Sequence, residues 1–456
     1  MSSASLSVRA ARARLTASGG AVVLAGALPF LFLGGDFQPD AEIGVGSTSV
    51  RVTLSDVAVL AVVLAGAVAA RTHVARLRHA GWAWALVAAL LAWIVAGVAA
   101  RAGTGGYPAS DALVTAAKFA EYALLAPAVP LLLRRRRDVE LVAWTWVGWL
   151  ALAAAVGLVQ LVGIDIFRSW TAWYRQPSFT GHHDLAAMSA GGLALASAAI
   201  LFGPRLGAPR RLAGIGGVAG AIAMILSGTL VGALGFTAGA AVLGLVAWSR
   251  LGARPGAVLR LAVLTIVVLA GVFAFRGGDV LDFARFLGIG PGERKTTDIE
   301  TYSQRTVLLY IGGRIVLDNP IAGIGWQGSA AERGYGPYVA DARARFPTVA
   351  DEAFPGQGRP WGIQNAYVQA AADLGLPGAL LFLAVVLAPF ALLLRPLRSA
   401  PAESAGAAVA VATIAFVVAG LWLALGLVAG IPLDAVMWLA LGLVAALRAG
   451  LAEPAG

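Results

Sequence analysis

Val258 to Phe275 reads VLRLAVLTIVVLAGVFAF, a run of apolar side chains broken by one charge, Arg260, near its start. A helix needs roughly 20 mostly apolar residues to cross the hydrocarbon core of a bilayer, and this run with its flanks supplies them. Working outward, about 12 such stretches occur, at 19–35, 54–70, 81–100, 111–133, 140–163, 183–203, 211–228, 230–248, 258–275, 374–394, 405–427 and 431–447. The composition agrees: of 456 residues, 59% are hydrophobic and 13% charged, whereas soluble domains carry about 25% charged residues. A water-soluble globular enzyme is thereby excluded. Cysteine is absent, which excludes a disulfide framework, a thiol nucleophile and cysteine metal sites. The expected fold is an all-α polytopic membrane protein with about 12 transmembrane helices. The first is expected to be an uncleaved span, because many spans follow it and no small-residue cleavage site closes it.

The net charge of +10 would suggest a nucleic-acid partner in a soluble protein; here its placement along the chain carries the meaning. Alternate short connections hold Arg9, Arg12 and Arg14, then Arg71, Arg76 and Arg78, then Arg134 to Arg137, Arg205, Arg210 and Arg211, Arg250, Arg254 and Arg260, Arg395 and Arg398, and Arg448. The opposite short loops hold Arg51, Arg101, Arg168 and Arg175. Short loops rich in Lys and Arg stay in the cytoplasm, so both termini are expected there, and no nucleic-acid partner is expected. The same alternation places spans 1–9 in residues 1–275, a large external cap loop in 276–373, and spans 10–12 in 374–456. Long translocated segments escape the charge bias, so the cap's own arginines fit this topology.

Within the cap, Tyr302 to Leu317 reads as a helix closed by Asp318-Asn319-Pro320, with Val307, Ile311 and Ile315 on one face. Arg305 and Arg314 are nine positions apart and point to opposite sides of a straight helix. Arg314 has an i,i+4 partner available in Asp318. Arg305 has none, and is the candidate for a substrate contact. Next comes Pro320-Ile321-Ala322-Gly323-Ile324-Gly325-Trp326, a glycine-punctuated turn. Gln364-Asn365 follows, then Gly375-Leu376-Pro377-Gly378; Gln364 and Gly375 would share a face if one helix ran through both. Outside the cap, Arg175 precedes His182, His183 and Asp184 at the start of a span. Ionisable groups at such positions are expensive and point to function, although an interfacial histidine can also simply be hydrated. Lys118 and Glu121 lie three residues apart in the fourth span, as a structural ion pair or with Lys118 as a phosphate contact. Attraction to anionic lipid accounts for Arg134 to Arg137, and helix packing for the glycines of 214–239.

The order Arg305, then Asp318-Asn319-Pro320-Ile321-Ala322-Gly323-Ile324-Gly325, then Gln364-Asn365 and, nine residues on, Gly375-Leu376-Pro377-Gly378, resembles the O-antigen ligase and O-antigen polymerase superfamily. Asp56, after the Val45-to-Thr53 segment, and Pro177 to Ala186 look similar as well. The resemblance implies a C-type glycosyltransferase fold in the bacterial plasma membrane. The implied enzyme uses no metal, nucleotide or other cofactor and takes a glycan from an undecaprenyl-diphosphate carrier on the outer face. Its acceptor would be a hydroxyl of a glycan, lipid or protein. The candidates in catalysis are then Arg305 and the Gln364 position, and in substrate binding Arg175, Arg314, Asn365, Lys118 and Trp326.

The chemistry has its own logic. Diphosphate departure leaves negative charge that a preorganised cation stabilises, and arginine's planar fork suits two phosphate oxygens. Two departures from the family pattern stand out. Gln364 occupies the position of the family's histidine and cannot accept a proton at neutral pH, and Ser227-Gly228-Thr229-Leu230 lacks the arginine of a family Ser-Arg pair. His182 and His183 are candidate replacement bases, as are Asp298 and Glu300. A lipid-linked-oligosaccharide flippase or polysaccharide exporter, and a catalytically silent carrier-binding homologue, are the rival readings. The first should line a central cavity with charges from many helices.

Overall fold

The structure, a computed structural model, describes residues 18–45, 48–104, 106–203, 209–286, 289, 303–356, 362–394, 402–424 and 435–452. Its helices are α1 (Gly19–Leu31), α2 (Leu54–His73), α3 (Gly81–Arg101), α4 (Ala109–Ala123), α5 (Leu125–Leu132), α6 (Arg136–Leu161), α7 (His182–Phe202), α8 (Arg210–Ser227), α9 (Leu230–Leu251), α10 (Pro255–Phe286), α11 (Ser303–Asp318), α12 (Glu332–Arg345), α13 (Ala366–Leu394), α14 (Ala402–Ala424) and α15 (Ala435–Ala452). Each apolar stretch of the sequence carries a helix. Among the described residues, nine helical stretches are long and apolar enough to cross a membrane, one of them α2 joined to α3, while α1 and α15 are shorter apolar helices. The chain is an all-α, multi-pass membrane protein.

The outer surface says the same. Along α2, Val57, Leu60, Leu64 and Val68 are all more than half exposed, and Leu259, Val263, Ile266 and Val267 repeat the pattern on α10. Such stripes at helical spacing are stable against lipid and unstable against water. The inward faces use small residues. A Cβ at Gly192 of α7 would stand 2.2 Å from the Gly216 carbonyl oxygen of α8, so these helices meet at backbone distance. Helix α7 is the buried centre, packed against α6, α8, α9, α10 and α14.

Several charged groups are structural in ways the sequence does not advertise. Arg76 is 6% exposed; its Nε donates to the Pro130 carbonyl at 2.8 Å and Nη2 to Leu133 at 3.2 Å, closing the C-terminal end of α5, whose last carbonyls lack helical partners. Asp138 is fully buried and accepts from the backbone N–H groups of Ser18, Arg134 and Arg135. That anchors the start of α6 beside α1.

Two elements depart from expectation. Residues Asp40–Val45 and Thr48–Thr53 form an antiparallel hairpin, β1 and β2, with Asp40 opposite Thr53; the β-branched alternation of Thr48-Ser49-Val50-Arg51-Val52-Thr53 favours it. The second is α10, which continues past the expected end at residue 275 to Phe286, through Gly277-Gly278. Arg276 is thereby a helix residue rather than the first residue of a loop.

Candidate functional site

The segment between α6 and α7 is held by two fully buried glutamines. Gln160 donates from Nε2 to the Ile166 carbonyl at 2.7 Å and accepts from the Ser178 N–H at 2.8 Å. Gln176 accepts from the Trp170 N–H and donates to the carbonyls of Thr171 and Tyr174. Its own N–H donates to the Leu226 carbonyl at the end of α8. This fixes Arg175 against Gly228, where a Cβ would stand 2.7 Å from Arg175 Cβ; Gly228 has φ +57°, a conformation glycine adopts without strain.

Around Arg175 the predicted residues converge. Its guanidinium lies 4.6 Å over the Trp170 ring, Trp170 is 5.0 Å from the His182 ring, and His182 is 3.7 Å from the His183 ring. Arg276 of α10 and Arg305 of α11 are close enough to act electrostatically on Arg175, His182 and His183. Four parts of the chain thus come within electrostatic range of one another: the α6–α7 segment, the start of α7, α10 and α11. Burial first, and then the Arg276 guanidinium, push the Arg175 guanidinium below its ordinary value. Against the three arginines stands Asp279, 2.6 Å from Arg276 Nε. Arg175 Nε and His183 Nδ1 are buried without a hydrogen-bond partner among the described residues. Guanidinium groups beside a buried, unengaged donor are the chemistry that a phosphorylated ligand would satisfy.

The sequence reading singled out Arg175, His182, His183 and Arg305 but missed Arg276 and Trp170. Gly277-Gly278 looks like a helix stop and hides Arg276; nothing in the sequence distinguishes Trp170 from other interfacial tryptophans.

The other predicted residues lie elsewhere. Helix α11 runs unbroken through Gly312-Gly313, so Arg314 faces away from Arg305. Its partner is Asp341 of α12, at 3.2 Å, and not Asp318 on its own helix. Val307, Ile311 and Ile315 are all buried and meet Tyr335, Ala342, Phe354 and Ile363 in a small core of the cap. Lys118 is bound to Asp56 of α2, Nζ to Oδ2 2.8 Å, in place of the expected Glu121. Gln364 sits at φ +48° in the turn before α13, so it is not on the face of a helix shared with Gly375. Asn365 caps that helix: its Oδ1 accepts from the N–H groups of Tyr367 and Val368. Asp298 and Glu300 lie outside the described residues.

Trp326 is 1% exposed. Its Nε1 donates to Thr115 Oγ1 at 3.1 Å, its carbonyl accepts from Tyr107 Oη at 2.6 Å, and its ring packs on Phe119. Burial, with Asp373 adding to it, pushes the Tyr107 phenol up to about 12, which keeps it a donor. Trp326 is therefore a strut between the cap and α4, not a substrate surface.

The glycine-rich turn is seated on a broken helix. Gly375 has φ +70° and ψ 177° inside α13. The break frees the Leu374 carbonyl for Trp93 Nε1 at 2.9 Å and the Leu376 N–H for the Pro320 carbonyl at 2.8 Å. A Cβ at Gly375 would stand 2.1 Å from the Ile321 carbonyl oxygen. Ile324 and Gly325 donate to the carbonyls of Ala372 and Asp373, and the buried Asp373 carboxylate accepts from the Ser329 N–H. The two glycine motifs are thus one joint, which docks the cap on α13 and positions α11 with Arg305.

No group of three or more metal-ligating side chains placed to hold an ion occurs among the described residues. In comparisons with known proteins, no family model and no curated protein matches the chain.

Proposed function

We propose that this protein is a membrane glycosyltransferase of the O-antigen ligase and polymerase type. In this reading about 12 helices span the bacterial plasma membrane, both termini are cytoplasmic, and 276–373 caps the outer face. A glycan passes from an undecaprenyl-diphosphate carrier to a hydroxyl acceptor. The observation that carries the reading is the convergence of Arg175, Arg276 and Arg305 beside His182 and His183. In the transfer, a bond forms between the acceptor oxygen and the anomeric carbon while the bond from that carbon to the phosphate oxygen breaks, leaving its electron pair on the diphosphate. Three guanidinium groups in a poorly solvated site stabilise that charge. With the bound diphosphate offsetting the three guanidinium charges, an imidazole of the histidine pair, whose His183 Nδ1 is unengaged, can take the acceptor proton.

The two departures from the family pattern have answers in this geometry. Arg175 packs over Gly228, supplying a guanidinium beside the Ser227-to-Leu230 segment that lacks one. The histidine pair takes over proton acceptance from the Gln364 position. The catalytically silent reading draws on that same glutamine. Purified protein supplied with carrier-linked glycan and acceptor separates the two: transfer that falls in Arg305→Ala supports the enzyme, and no transfer by wild type with cognate substrates removes it.

A further inference from the structure

We propose that a membrane-facing groove between β2, α2 and α4 binds an aminophospholipid, with the headgroup ammonium at Glu121 and the phosphate at Lys118. The groove encloses about 300 Å³ and joins an apolar wall, including Val52, Val57 and Leu60, to a polar end formed by Asp56, Lys118 and Glu121. Val57 and Leu60 begin the exposed stripe that continues through Leu64 and Val68, a path for an acyl chain down the outside of α2.

At the polar end two carboxylates face one ammonium. Asp56 is engaged through one oxygen: Oδ2 accepts from the Thr53 N–H at 2.7 Å, Thr53 Oγ1 at 3.1 Å and Lys118 Nζ at 2.8 Å. Glu121 makes no side-chain hydrogen bond and no close ion pair among the described residues, and feels Lys118 only electrostatically, although it lies in an apolar helix long enough to span. A carboxylate at that depth is costly and asks for a partner. A primary ammonium supplies charge and N–H donors together. Lys118 has three N–H donors and gives one to Asp56, which leaves two for a phosphate. A purely anionic headgroup would meet Glu121 with repulsion. None of these residues belongs to the arginine and histidine cluster, so this site stands or falls separately from the transfer reaction.

The test is native mass spectrometry of the purified wild-type protein with phosphatidylethanolamine, its N-methyl and N,N-dimethyl forms, phosphatidylcholine and phosphatidylglycerol, all with the same acyl chains. Retention is expected to fall stepwise as N–H donors are removed, by roughly tenfold from phosphatidylethanolamine to phosphatidylcholine, the worth of one charge-assisted hydrogen bond. Glu121→Gln should abolish that preference. Equal retention of phosphatidylethanolamine and phosphatidylcholine, stronger retention of phosphatidylglycerol, or an unchanged preference in Glu121→Gln would each overturn the proposal. Should Glu121→Gln fail to fold, the wild-type lipid series alone decides.

Discussion

Arg305 and Arg314 sit on one short helix with opposite fates, and the contrast makes the site testable residue by residue. Arg305 joins Arg175 and Arg276, while Arg314 is half exposed and paired with Asp341. Losing one preorganised cation at a developing negative charge is expected to lower transfer by roughly a hundredfold, so Arg305→Ala should show that loss. Arg314→Ala should stay within about threefold, because a half-exposed pair contributes little; steady-state transfer rates check both. The proton acceptor is tested in the same assay. His183→Gln should lower turnover by roughly a hundredfold, whereas Gln364→Ala should leave it nearly unchanged, and the reverse order would remove His183 as the proton acceptor.

At the scale of the element, the deciding features are a broken helix and a continuous one. The sequence made α11 legible, since Val307, Ile311 and Ile315 mark its buried face. The partners of Arg314 and of Lys118 on α4 were not legible, because Asp341 and Asp56 are brought to them by tertiary packing rather than by helical spacing. Nor was the role of the glycines: Gly277-Gly278 stays helical inside α10, while Gly375 breaks α13. Substituting the latter should therefore be severe. Gly375→Ala places a Cβ 2.1 Å from a backbone oxygen at a positive φ and should sharply lower the melting temperature in detergent and uncouple the cap. Gly313→Ala is the opposite case, since its Cβ meets nothing within 4 Å on α11. It should stabilise the protein by about 0.5–1 kcal/mol, the ordinary helical gain of alanine over glycine.

For the whole molecule, the apolar runs announce a polytopic helical protein because lipid demands internally satisfied backbone over a fixed thickness. They do not announce which arginines meet. Arg175, Arg276 and Arg305 come from three distant parts of the chain, and no period in the sequence links them. The proposed topology can be read directly, because the chain has no cysteine of its own. A membrane-impermeant maleimide should label Glu352→Cys in intact cells and Arg137→Cys only after permeabilisation; the opposite pattern would invert the orientation. The claim on which the functional reading rests is that the arginine cluster holds a lipid diphosphate. Binding of undecaprenyl diphosphate to the purified protein, with undecaprenol as the comparison, tests it most directly. Wild type and Arg314→Ala should bind the diphosphate alike and well above undecaprenol, with Arg305→Ala weakened by roughly tenfold or more. Equal binding of diphosphate and undecaprenol, or no loss in Arg305→Ala, would contradict the account.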